Sequence, residues 1–393
     1  MHQNVAITGY GIVSAIGVGA DANFASLCSC QTGIDAVRYV KTSLTDYLYA
    51  EVKLSNKQLA QASNLIYQNE YSRTFLLGLL AAREAVNMAQ CEKYLPTMGL
   101  FCSTTSAGVD IFEAYVDAMR KSKNFDTSAI NSFDCGDLAS RIASFLGIRK
   151  NIVTNSTACS SSANAIMNAC RMIRSGNIDR ILVGGADSLN LFNINGFNSL
   201  EIISKNGCRP FCEHRNGMTP GEGAAFLVLE AEEKVGSRPI YGYVSGYSNY
   251  SKPQKMTEQT ADGAIMSMTQ AISKAGLAPS NVDFVYTHGT GTVNNDMSEC
   301  QAIKDVFGNS IPPFSSIKEY VGHTFAASGA LGAVVSLMSI NKGVLFPNAK
   351  LEAPMSQFSF SPIRQIVYSS PQHILVNSFG FGGSNTSLII SKN

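Results

Sequence analysis

The sequence predicts an α/β fold in which largely buried sheets are covered by helices. Short apolar segments rich in β-branched residues alternate with longer segments of helical periodicity along the 393 residues, and this alternation is typical of helices packed on a sheet. Charged residues make up only 15% of the chain, against about 25% in an average globular domain. We therefore expect much of the surface to be hidden, in a large core or in an interface between subunits.

The predicted elements of the N-terminal half alternate between strand and helix. In chain order they are a strand over 5–8, a helix over 72–89, strands over 99–103 and 152–155, a helix over 160–174 and a strand over 180–184. Further along, the longest apolar segment, 329–340, contains glycine and serine and predicts a buried helix, which the sequence places over 326–340.

Two pairs of segments resemble each other and indicate an internal duplication. Each pair consists of an apolar strand, a glycine-rich turn and a second apolar strand: 181–185 with 221–229, and 374–378 with 380–390. A boundary near 234–239 would separate the pairs, which gives an N-terminal half over residues 1–234 and a C-terminal half over residues 235–393. A repeat of this length predicts a duplicated α/β unit rather than a solenoid.

Composition excludes several functions. Thirty basic and twenty-nine acidic residues give a formal net charge of +1, which is too balanced for a nucleic-acid-binding surface. The first residues lack the charged and apolar regions of a signal peptide, and no apolar run reaches the roughly 18 residues that cross a bilayer. Ten cysteines without a regular framework indicate free thiols in so long a chain. We expect a soluble cytoplasmic protein with no membrane or nucleic-acid partner.

Two patterns that could bind a cofactor are incomplete. Gly-Tyr-Gly at 9–11 follows a strand, as in dinucleotide-binding folds, but Ser14 occupies the third glycine position and no acidic residue ends a second strand at the expected distance. Cys208, Cys212 and His214 have the chemistry of zinc ligands, but no fourth ligand follows at finger spacing. We expect no cofactor and no metal.

Cys159 lies directly after a predicted strand and directly before a predicted helix. A thiol at a helix N-terminus faces unpaired N–H groups and the positive end of the helix dipole, which both favour the nucleophilic thiolate. A sharp turn from strand to helix also lifts the side chain clear of the sheet. A free cysteine is more often a buried structural residue, and we expect that role for the other nine.

Two of the five histidines stand beside small residues at the ends of elements. His288 opens the segment His-Gly-Thr-Gly-Thr directly after an apolar run, and His323 follows Gly322 just before the helix predicted over 326–340. Lys318 lies five residues before His323. An isolated histidine at such a place is usually structural, but two of them together with a nucleophilic cysteine and a lysine indicate a catalytic site.

Four separated motifs stand in order along the chain. They are Thr-Ala-Cys-Ser-Ser at 157–161, Thr-His-Gly-Thr-Gly-Thr at 287–292, Lys318 with Gly322 and His323, and Asn-Ser-Phe-Gly-Phe-Gly-Gly-Ser-Asn at 377–385. Together they resemble the β-ketoacyl-acyl-carrier-protein synthases of the elongating Cys-His-His type, above all synthase II and the ketosynthase subunits of type II polyketide systems. The resemblance covers almost the whole chain.

The resemblance implies a thiolase-like fold of five layers, α-β-α-β-α, in which two duplicated halves of βαβαβαββ order each contribute a sheet. The N-terminal half, 1–234, would carry the nucleophile Cys159. The C-terminal half, 235–393, would carry both histidines, Lys318 and a glycine-rich gate loop.

The resemblance also implies a decarboxylative Claisen condensation. Cys159 would take an acyl group from an acyl-carrier protein, and malonyl-acyl-carrier protein would lose carbon dioxide and attack it, giving a β-ketoacyl chain extended by two carbons. His288 and His323 would bind the malonyl thioester carbonyl and stabilise the enolate, while Lys318 would orient them. Which histidine assists the loss of carbon dioxide stays open. The chain would be an acyltransferase in a homodimer or a ketosynthase-type heterodimer, with both carrier proteins as partners.

The glycine-rich loop would complete the site. By resemblance, the backbone N–H groups of Cys159 and Phe381 form the oxyanion hole for acyl transfer. Gly380, Gly382 and Gly383 flank Phe381 and would let the loop move as a gate.

Four further positions match family residues that bind the substrate or support a catalytic residue. Thr290 and Thr292 would hold the phosphopantetheine arm, and Phe197 would line the acyl pocket. Glu299 matches the acidic residue that partners Lys318.

The sequence departs from the family pattern near the acyl pocket and the carrier-binding surface. Ser106 stands where a bulky apolar gate residue is usual, and we expect it to line the acyl tunnel. Glu201 stands where a carrier-binding arginine is usual, so the best visible basic group for an acidic carrier protein is Arg120, Lys121 and Lys123. A specialised synthase for a polyene or polyketide chain fits these departures about as well as a housekeeping fatty-acid synthase.

Two alternatives from other classes fit less well. A non-catalytic chain-length partner would lack the nucleophilic cysteine, whereas this chain has Cys159. A degradative thiolase would use a second catalytic cysteine in a late loop, and here no cysteine follows Cys300.

Overall fold

The fold is built from alternating strands and helices, and the computed structural model describes residues 4–121, 127–253 and 260–392. The N-terminal half contains β1 (Val5–Ser14), β2 (Gly17–Val18), α1 (Ala20–Cys28), α2 (Asn56–Ala62), α3 (Arg73–Ala89), β3 (Gly99–Ser103), α4 (Val109–Lys121), α5 (Cys135–Leu146), β4 (Ile152–Asn155), α6 (Ser161–Arg174), β5 (Arg180–Asp187), α7 (Leu191–Ser199) and β6 (Gly223–Ala231).

The C-terminal half repeats the same alternation. It contains β7 (Gly242–Ser251), α8 (Ala261–Lys274), β8 (Phe284–Tyr286), α9 (Val293–Phe307), β9 (Phe314–Ser315), α10 (Lys318–Val321), α11 (Ser328–Lys342), β10 (Val344–Leu345), β11 (Val367–Tyr368), β12 (His373–Gly380) and β13 (Ser384–Ser391). Short 3₁₀ helices lie over Glu92–Thr97, Thr127–Phe133, Glu232–Lys234, Pro279–Asn281 and Phe325–Ala327.

The strand order shows the duplication directly. The strands run β4-β3-β5-β6-β1-β7-β13-β12-β8-β9, so the order outward from β1 matches the order outward from β7. In each half the outer strands are parallel and the last hairpin, β5–β6 or β12–β13, is antiparallel. The two five-stranded sheets meet where β1 pairs with β7, at Ala6 with Tyr243 and Ile7 with Gly242. The predicted duplication of the βαβαβαββ unit is confirmed.

Three apolar clusters hold the layers together. One cluster joins α6 and α11 to the inner faces of both sheets, a second joins α3 and α5 to the N-terminal sheet, and a third joins α8 and α9 to the C-terminal sheet. The two central helices approach so closely that a Cβ atom on Gly329 would lie 2.7 Å from the Cβ of Ala163. The predicted five-layer order, α-β-α-β-α, is confirmed.

Helix α11 is the apolar element of the central layer. The segment 325–342 is long and apolar enough to cross a membrane by composition alone, but 83% of it is buried inside the protein. Its apolar character is therefore explained by its position between two sheets, as predicted for 326–340.

Strand β1 is longer than the predicted strand over 5–8 because its glycines belong to it. A Cβ atom on Gly9 would lie 2.3 Å from the carbonyl oxygen of Ala85, and one on Gly11 would lie 2.1 Å from that of Ala81. These two glycines let α3 pack directly against the strand. Helix α3 begins where the sequence predicted, because the hydroxyl of Ser72 accepts a hydrogen bond from the N–H of Phe75 at 3.1 Å.

Candidate active site

Cys159 lies in a tight turn that carries the chain from β4 into α6. Ala158 has a φ of +51°, a left-handed conformation that is unfavourable for a residue with a side chain. The turn is held by hydrogen bonds from the N–H of Thr157 to the hydroxyl of Ser161 at 2.8 Å and from that hydroxyl to the carbonyl of Ala158 at 2.5 Å. Cys159 itself is 6% exposed. The predicted position at the start of a long helix is thus present.

The hairpin between β12 and β13 packs against this turn. The hydroxyl of Ser378 donates to the carbonyl of Cys159 at 2.8 Å, and a Cβ atom on Gly380 would lie 2.8 Å from the carbonyl oxygen of Thr157. Cys159 and Phe381 line the same two cavities, so the hairpin brings the backbone of Phe381 close to the site of the thiol. The oxyanion hole formed by the N–H groups of Cys159 and Phe381 stays a prediction.

The loop after Phe381 needs its glycines. Gly382 and Gly383 have φ values of +81° and +92°, which residues with a Cβ rarely adopt. A Cβ atom on Gly382 would contact nothing within 4 Å, so the requirement at that position is conformational rather than steric. Whether the loop moves as a gate stays a prediction.

His288 and His323 reach the thiol from the C-terminal half. The reactive atoms of Cys159, His288 and His323 all lie within 4.8 Å of one another. The two imidazole rings meet edge to face, with centroids 5.4 Å apart and planes at 85°. Strand β8 ends two residues before His288, and His323 follows α10, so both halves of the fold contribute to one cluster.

The hydrogen bonds around the two imidazoles fix where their protons lie. The Nδ1 atom of His323 accepts from the backbone N–H of Phe325 at 3.0 Å. The Nδ1 atom of His288 lies 3.3 Å from the ammonium of Lys318, which also donates to the carbonyl of His288 at 2.5 Å. A neutral imidazole that accepts at Nδ1 carries its proton on Nε2. Both histidines therefore present an Nε2–H donor.

The carboxylate of Glu299 lies behind His288 and holds its backbone. The carboxylate of Glu299 accepts from the backbone N–H groups of His288 and Gly289, both at 2.8 Å, and from the amide of Asn377 at 3.0 Å. Its charge favours the protonated form of Lys318, although these hydrogen bonds go to other groups. Burial raises the pKa of Glu299 to about 7. Glu299 thus holds the backbone at His288, and its role toward Lys318 stays a prediction.

Burial sets the resting protonation of the cluster. It raises the pKa of the Cys159 thiol to about 11, while Lys318 and the N–H of Phe381 act in the opposite direction. Burial and the charge of Lys318 lower the pKa of both His288 and His323 well below the usual range. The helix N-terminus favours the thiolate, as the sequence indicates, but desolvation outweighs it here, so the resting state is a neutral thiol beside two neutral imidazoles.

Two cavities meet at Cys159. One, of about 290 Å³, is lined by the thiol, both histidines, Thr290 and Thr292. The other, of about 510 Å³, extends from the thiol along α7 and is lined by Thr105, Phe192, Asn193, Gly196, Phe197, Leu200, Phe325 and others. The rings of Phe197 and Phe381, with centroids 6.0 Å apart, border both cavities. A chain bound on Cys159 in one cavity and a second substrate in the other would thus share one reaction centre.

Ser106 is buried beside the second cavity rather than open to it. Its hydroxyl donates to the carboxylate of Asp187 at 3.2 Å and accepts from the amides of Asn190 and Asn193 at 3.1 and 3.2 Å. The adjacent residue Thr105 lines the cavity. A role of Ser106 in the acyl tunnel stays a prediction.

Two buried carboxylates near the site were not predicted from the sequence. The first, Asp187 at the end of β5, accepts hydrogen bonds from the Thr104 and Thr105 side chains at 2.6 and 2.7 Å and from the N–H of Ala326 at 2.9 Å. It joins the segment beside the acyl cavity to the segment after His323. The available signal was an acidic residue directly after a continuous apolar strand.

Asp296 is the second of these carboxylates. It accepts from the backbone N–H groups of Thr290 and Gly291 at 3.1 and 3.2 Å and from that of Phe211 at 2.8 Å. These bonds hold in place the loop that carries Thr290 and Thr292, which line the smaller cavity.

Two of the three basic residues predicted to face an acidic carrier protein lie within the described part of the chain. Arg120 and Lys121 are exposed at the end of α4, and Lys121 pairs with Asp117 at 2.6 Å. Lys123 lies outside the described residues. Glu201, at the position where the family pattern has an arginine, lines the smaller cavity.

Comparison with known proteins identifies relatives along the whole chain. The family described as "Beta-ketoacyl synthase, N-terminal domain" matches residues 2–235, and "Beta-ketoacyl synthase, C-terminal domain" matches residues 241–352. A mitochondrial 3-oxoacyl-[acyl-carrier-protein] synthase of Arabidopsis thaliana is 28% identical, over 100% of this chain and 94% of that protein. The 3-oxoacyl-[acyl-carrier-protein] synthase 2 of Staphylococcus aureus strain COL is 28% identical, over 100% and 99%.

A solved ketosynthase structure is similar to this chain over its full length. The ishigamide ketosynthase/chain length factor superposes on this chain with a TM-score of 0.93 and 26% identity, over 100% of both chains. The two matched family regions include Cys159 in the first and His288, Lys318 and His323 in the second.

Proposed function

Because this chain belongs to the β-ketoacyl synthase family, we propose that it extends an acyl chain by two carbons through decarboxylative Claisen condensation. The acyl group is held on Cys159, and the extender is malonyl-acyl-carrier protein. The observation that carries the assignment of residues is the cluster of Cys159, His288 and His323, in which the sulfur and one nitrogen of each imidazole all lie within 4.8 Å of one another. The thiolase-like fold and the relatives along the whole chain support the same reaction.

Acyl loading is a thioester exchange. The sulfur of Cys159 attacks the acyl thioester of the carrier protein, and the oxygen of the tetrahedral intermediate accepts hydrogen bonds from the N–H groups of Cys159 and Phe381. The bond to the pantetheine sulfur then breaks, and the proton lost by the thiol ends on that sulfur. Backbone donors aimed at a developing oxyanion contribute about 3 kcal/mol each to the rate.

Condensation uses the two histidines. The malonyl thioester carbonyl accepts hydrogen bonds from the Nε2–H groups of His288 and His323, so that the electrons released when the bond to the carboxylate breaks are stabilised as an enolate. Carbon dioxide leaves, and the enolate carbon attacks the acyl carbonyl on Cys159. The bond to the cysteine sulfur breaks, and the sulfur takes up one proton from solvent. The histidine that assists the departure of carbon dioxide stays open.

The carrier proteins are the partners of both steps. Thr290 and Thr292 lie at the smaller cavity, and their hydroxyls are 2.8 Å apart. Two hydroxyls therefore line the route that an extended phosphopantetheine arm would take to the histidines. We assign the acyl chain to the larger cavity along α7, with Phe197 and Phe381 at its border.

The pathway is one of two closely related candidates. A housekeeping fatty-acid synthase would fit the named relatives in Arabidopsis thaliana and Staphylococcus aureus. A specialised polyene or polyketide ketosynthase is the second candidate; the larger cavity is lined mainly by apolar side chains, to which Thr105, Ser156 and Asn193 add polar groups. The superposed ishigamide structure is described as a ketosynthase with a chain length factor.

We assign the enzyme to a two-subunit assembly in the cytoplasm. Strand β4 forms the outer edge of its sheet, and its residues Ile152 and Val153 are 41% and 40% exposed. An exposed strand edge with β-branched side chains is a template for pairing with a second subunit. That subunit could be an identical chain or a chain length factor. Ten free cysteines suit a reducing compartment.

The two halves of the chain, 1–234 and 235–393, are proposed as its two domains. The first holds the thiol and the second holds the imidazoles, the ammonium and the glycine-rich loop. The reaction centre therefore forms only where the halves meet.

The test of this function is product formation from defined substrates. Purified protein is mixed with an acyl-carrier protein that carries an acyl group and with malonyl-acyl-carrier protein, and the carrier-bound product is identified by mass spectrometry. A β-ketoacyl chain longer by two carbons is expected. Exchange of the acyl group without any elongated product, at several acyl chain lengths, would contradict the function.

A further inference from the structure

A further cavity, of about 880 Å³, lies far from the thiol and concentrates positive charge. It opens at the C-terminal end of α6, where Arg171 and Arg174 stand in the last turn, and at the C-terminal end of α8, which carries Lys274. Helix α6 has 14 residues, so at 1.5 Å per residue its last turn lies about 20 Å from the catalytic end. The cavity is therefore separate from the condensation site.

The cations converge on one aromatic ring. The guanidinium of Arg174 lies 5.1 Å from the centroid of the Tyr247 ring, and the ammonium of Lys274 lies 4.6 Å from the same centroid. Arg171 is one turn before Arg174 on the same helix. Burial and the charges of these two arginines lower the pKa of Lys274. Arg171 and Lys274 are exposed to solvent at the mouth of the cavity, and an anion bound between like charges would relieve their mutual repulsion.

The neighbouring carboxylate neutralises only part of the cluster of cations. Among the residues that the structure describes, the carboxylate on the wall of this cavity is Glu232. It accepts hydrogen bonds from the Tyr243 hydroxyl at 2.6 Å and from the Asn4 amide at 2.8 Å. These bonds lower its pKa, so Glu232 keeps its negative charge. That single charge and the partial negative charge of the helix ends offset only part of the charge of the three cations.

The cavity also contains polar groups beside the cations, one of which is a donor without an acceptor. One amino group of Arg174 donates to the carbonyls of Val244 and Ser245, yet its Nε atom is buried and finds no acceptor among the described residues. The hydroxyls of Ser245 and Ser391, 2.7 Å apart, and the ring of His373 line the same space. A buried donor without a partner is costly, so the protein itself satisfies the hydrogen bonds of Arg174 only in part.

We propose that this cavity binds an organic phosphate that carries at least two negative charges. Arg171, Arg174 and Lys274 bind the phosphate oxygens, because guanidinium and ammonium groups are the side chains that recognise phosphate. The concave shape, with buried donors and hydroxyls inside, suits a small molecule better than the surface of a protein. The proposal is independent of the condensation chemistry.

The test is calorimetric titration of the full-length protein with inorganic pyrophosphate at constant ionic strength. We expect saturable binding of one pyrophosphate per chain. The double variant Arg171→Gln/Lys274→Gln should weaken this affinity by roughly tenfold or more, since charged hydrogen bonds are lost. The matched control Lys57→Gln/Lys304→Gln removes the same charge from exposed sites elsewhere and should leave affinity unchanged. Condensing activity should be unchanged in both variants.

Several outcomes would overturn the proposal. They are the absence of saturable binding, equal affinity in both double variants, and binding of an acidic carrier protein instead of pyrophosphate at this surface. Competition then identifies the source of the phosphate. Displacement of pyrophosphate by ADP indicates a nucleotide, and displacement by phosphopantetheine indicates a pantetheine phosphate; either result supports the proposal. A site that binds pyrophosphate but releases it to neither competitor is not an organic-phosphate site.

Discussion

The ammonium of Lys318 lies 3.3 Å from the Nδ1 atom of His288 and donates a 2.5 Å hydrogen bond to the carbonyl oxygen of the same residue. Lys318 therefore fixes both the backbone and the tautomer of this histidine. It also lowers the pKa of the Cys159 thiol and of both histidines. One buried cation thus favours a neutral imidazole and a more acidic thiol at the same time.

The first prediction concerns this positioning role. Lys318→Met should slow the release of carbon dioxide from malonyl-acyl-carrier protein by ~10–100-fold, because the charged hydrogen bond that sets the tautomer is lost. Acyl loading should continue at neutral pH. Lys318→Gln restores a neutral donor and should recover part of the lost rate. Identical losses of loading and of carbon dioxide release in both variants would indicate a merely structural lysine.

The second prediction concerns the pH dependence of Cys159. Because burial raises the pKa of its thiol to about 11, the thiolate fraction is small near neutral pH and grows as pH increases. The rate of alkylation of Cys159 by iodoacetamide, followed by peptide mass spectrometry, should rise continuously up to at least about pH 9. In Lys318→Met the rise should move to still higher pH. A rate that is already constant near pH 7 would contradict the buried neutral thiol.

The third prediction concerns Ser106. Ser106→Ile should shorten the accepted acyl chain if the residue limits the tunnel, and loading of a two-carbon acyl group should survive. The added volume and the loss of hydrogen bonds to Asn190 and Asn193 should together lower the free energy of unfolding by ~1–3 kcal/mol. The matched variant Ser106→Ala loses the hydroxyl without adding bulk and should keep the chain-length profile. Superimposable acyl-chain-length profiles for wild type and Ser106→Ile would show that Ser106 does not line the acyl tunnel.

The fourth prediction concerns the exposed edge of β4. The purified protein should sediment as a two-subunit assembly, and intact mass should show whether the subunits are identical. Ile152→Lys should shift the assembly toward single chains, because it places a charge on the pairing edge. Ile66→Lys is the control, since Ile66 is 88% exposed and lies elsewhere. If Ile152→Lys sedimented like the wild type, the interface between the subunits would lie on another surface.

Local sequence patterns were sufficient to predict many of the helices and strands of the fold. The positions of α3, α6 and α11 followed from helical periodicity and from serine and small residues at their ends. The end of β1 was not predicted, because Gly9 and Gly11 resemble a turn until the close packing of α3 is known. The two similar hairpins indicated the duplication, whereas the joining of the two sheets through β1 and β7 depends on long-range pairing.

The site was predicted by motif, but its chemical state was not. The motifs located Cys159, His288 and His323, and the structure brings them together. The protonation of Cys159 could not be predicted, since desolvation is a property of the surrounding fold rather than of the adjacent helix. The hydrogen bonds of Asp187 also join residues more than 80 positions apart, so no local pattern indicates them.

The most direct test of the account measures acyl loading and carbon dioxide release on the same samples. Intact mass reports the acyl group on the chain, and trapped carbon dioxide reports decarboxylation of malonyl-acyl-carrier protein. Cys159→Ser should acquire no acyl mass, while the control Cys28→Ser should behave as wild type. His288→Ala and His323→Ala should each acquire the acyl mass and release almost no carbon dioxide. Normal elongation by Cys159→Ser, or histidine variants that decarboxylate but cannot be loaded, would contradict the account.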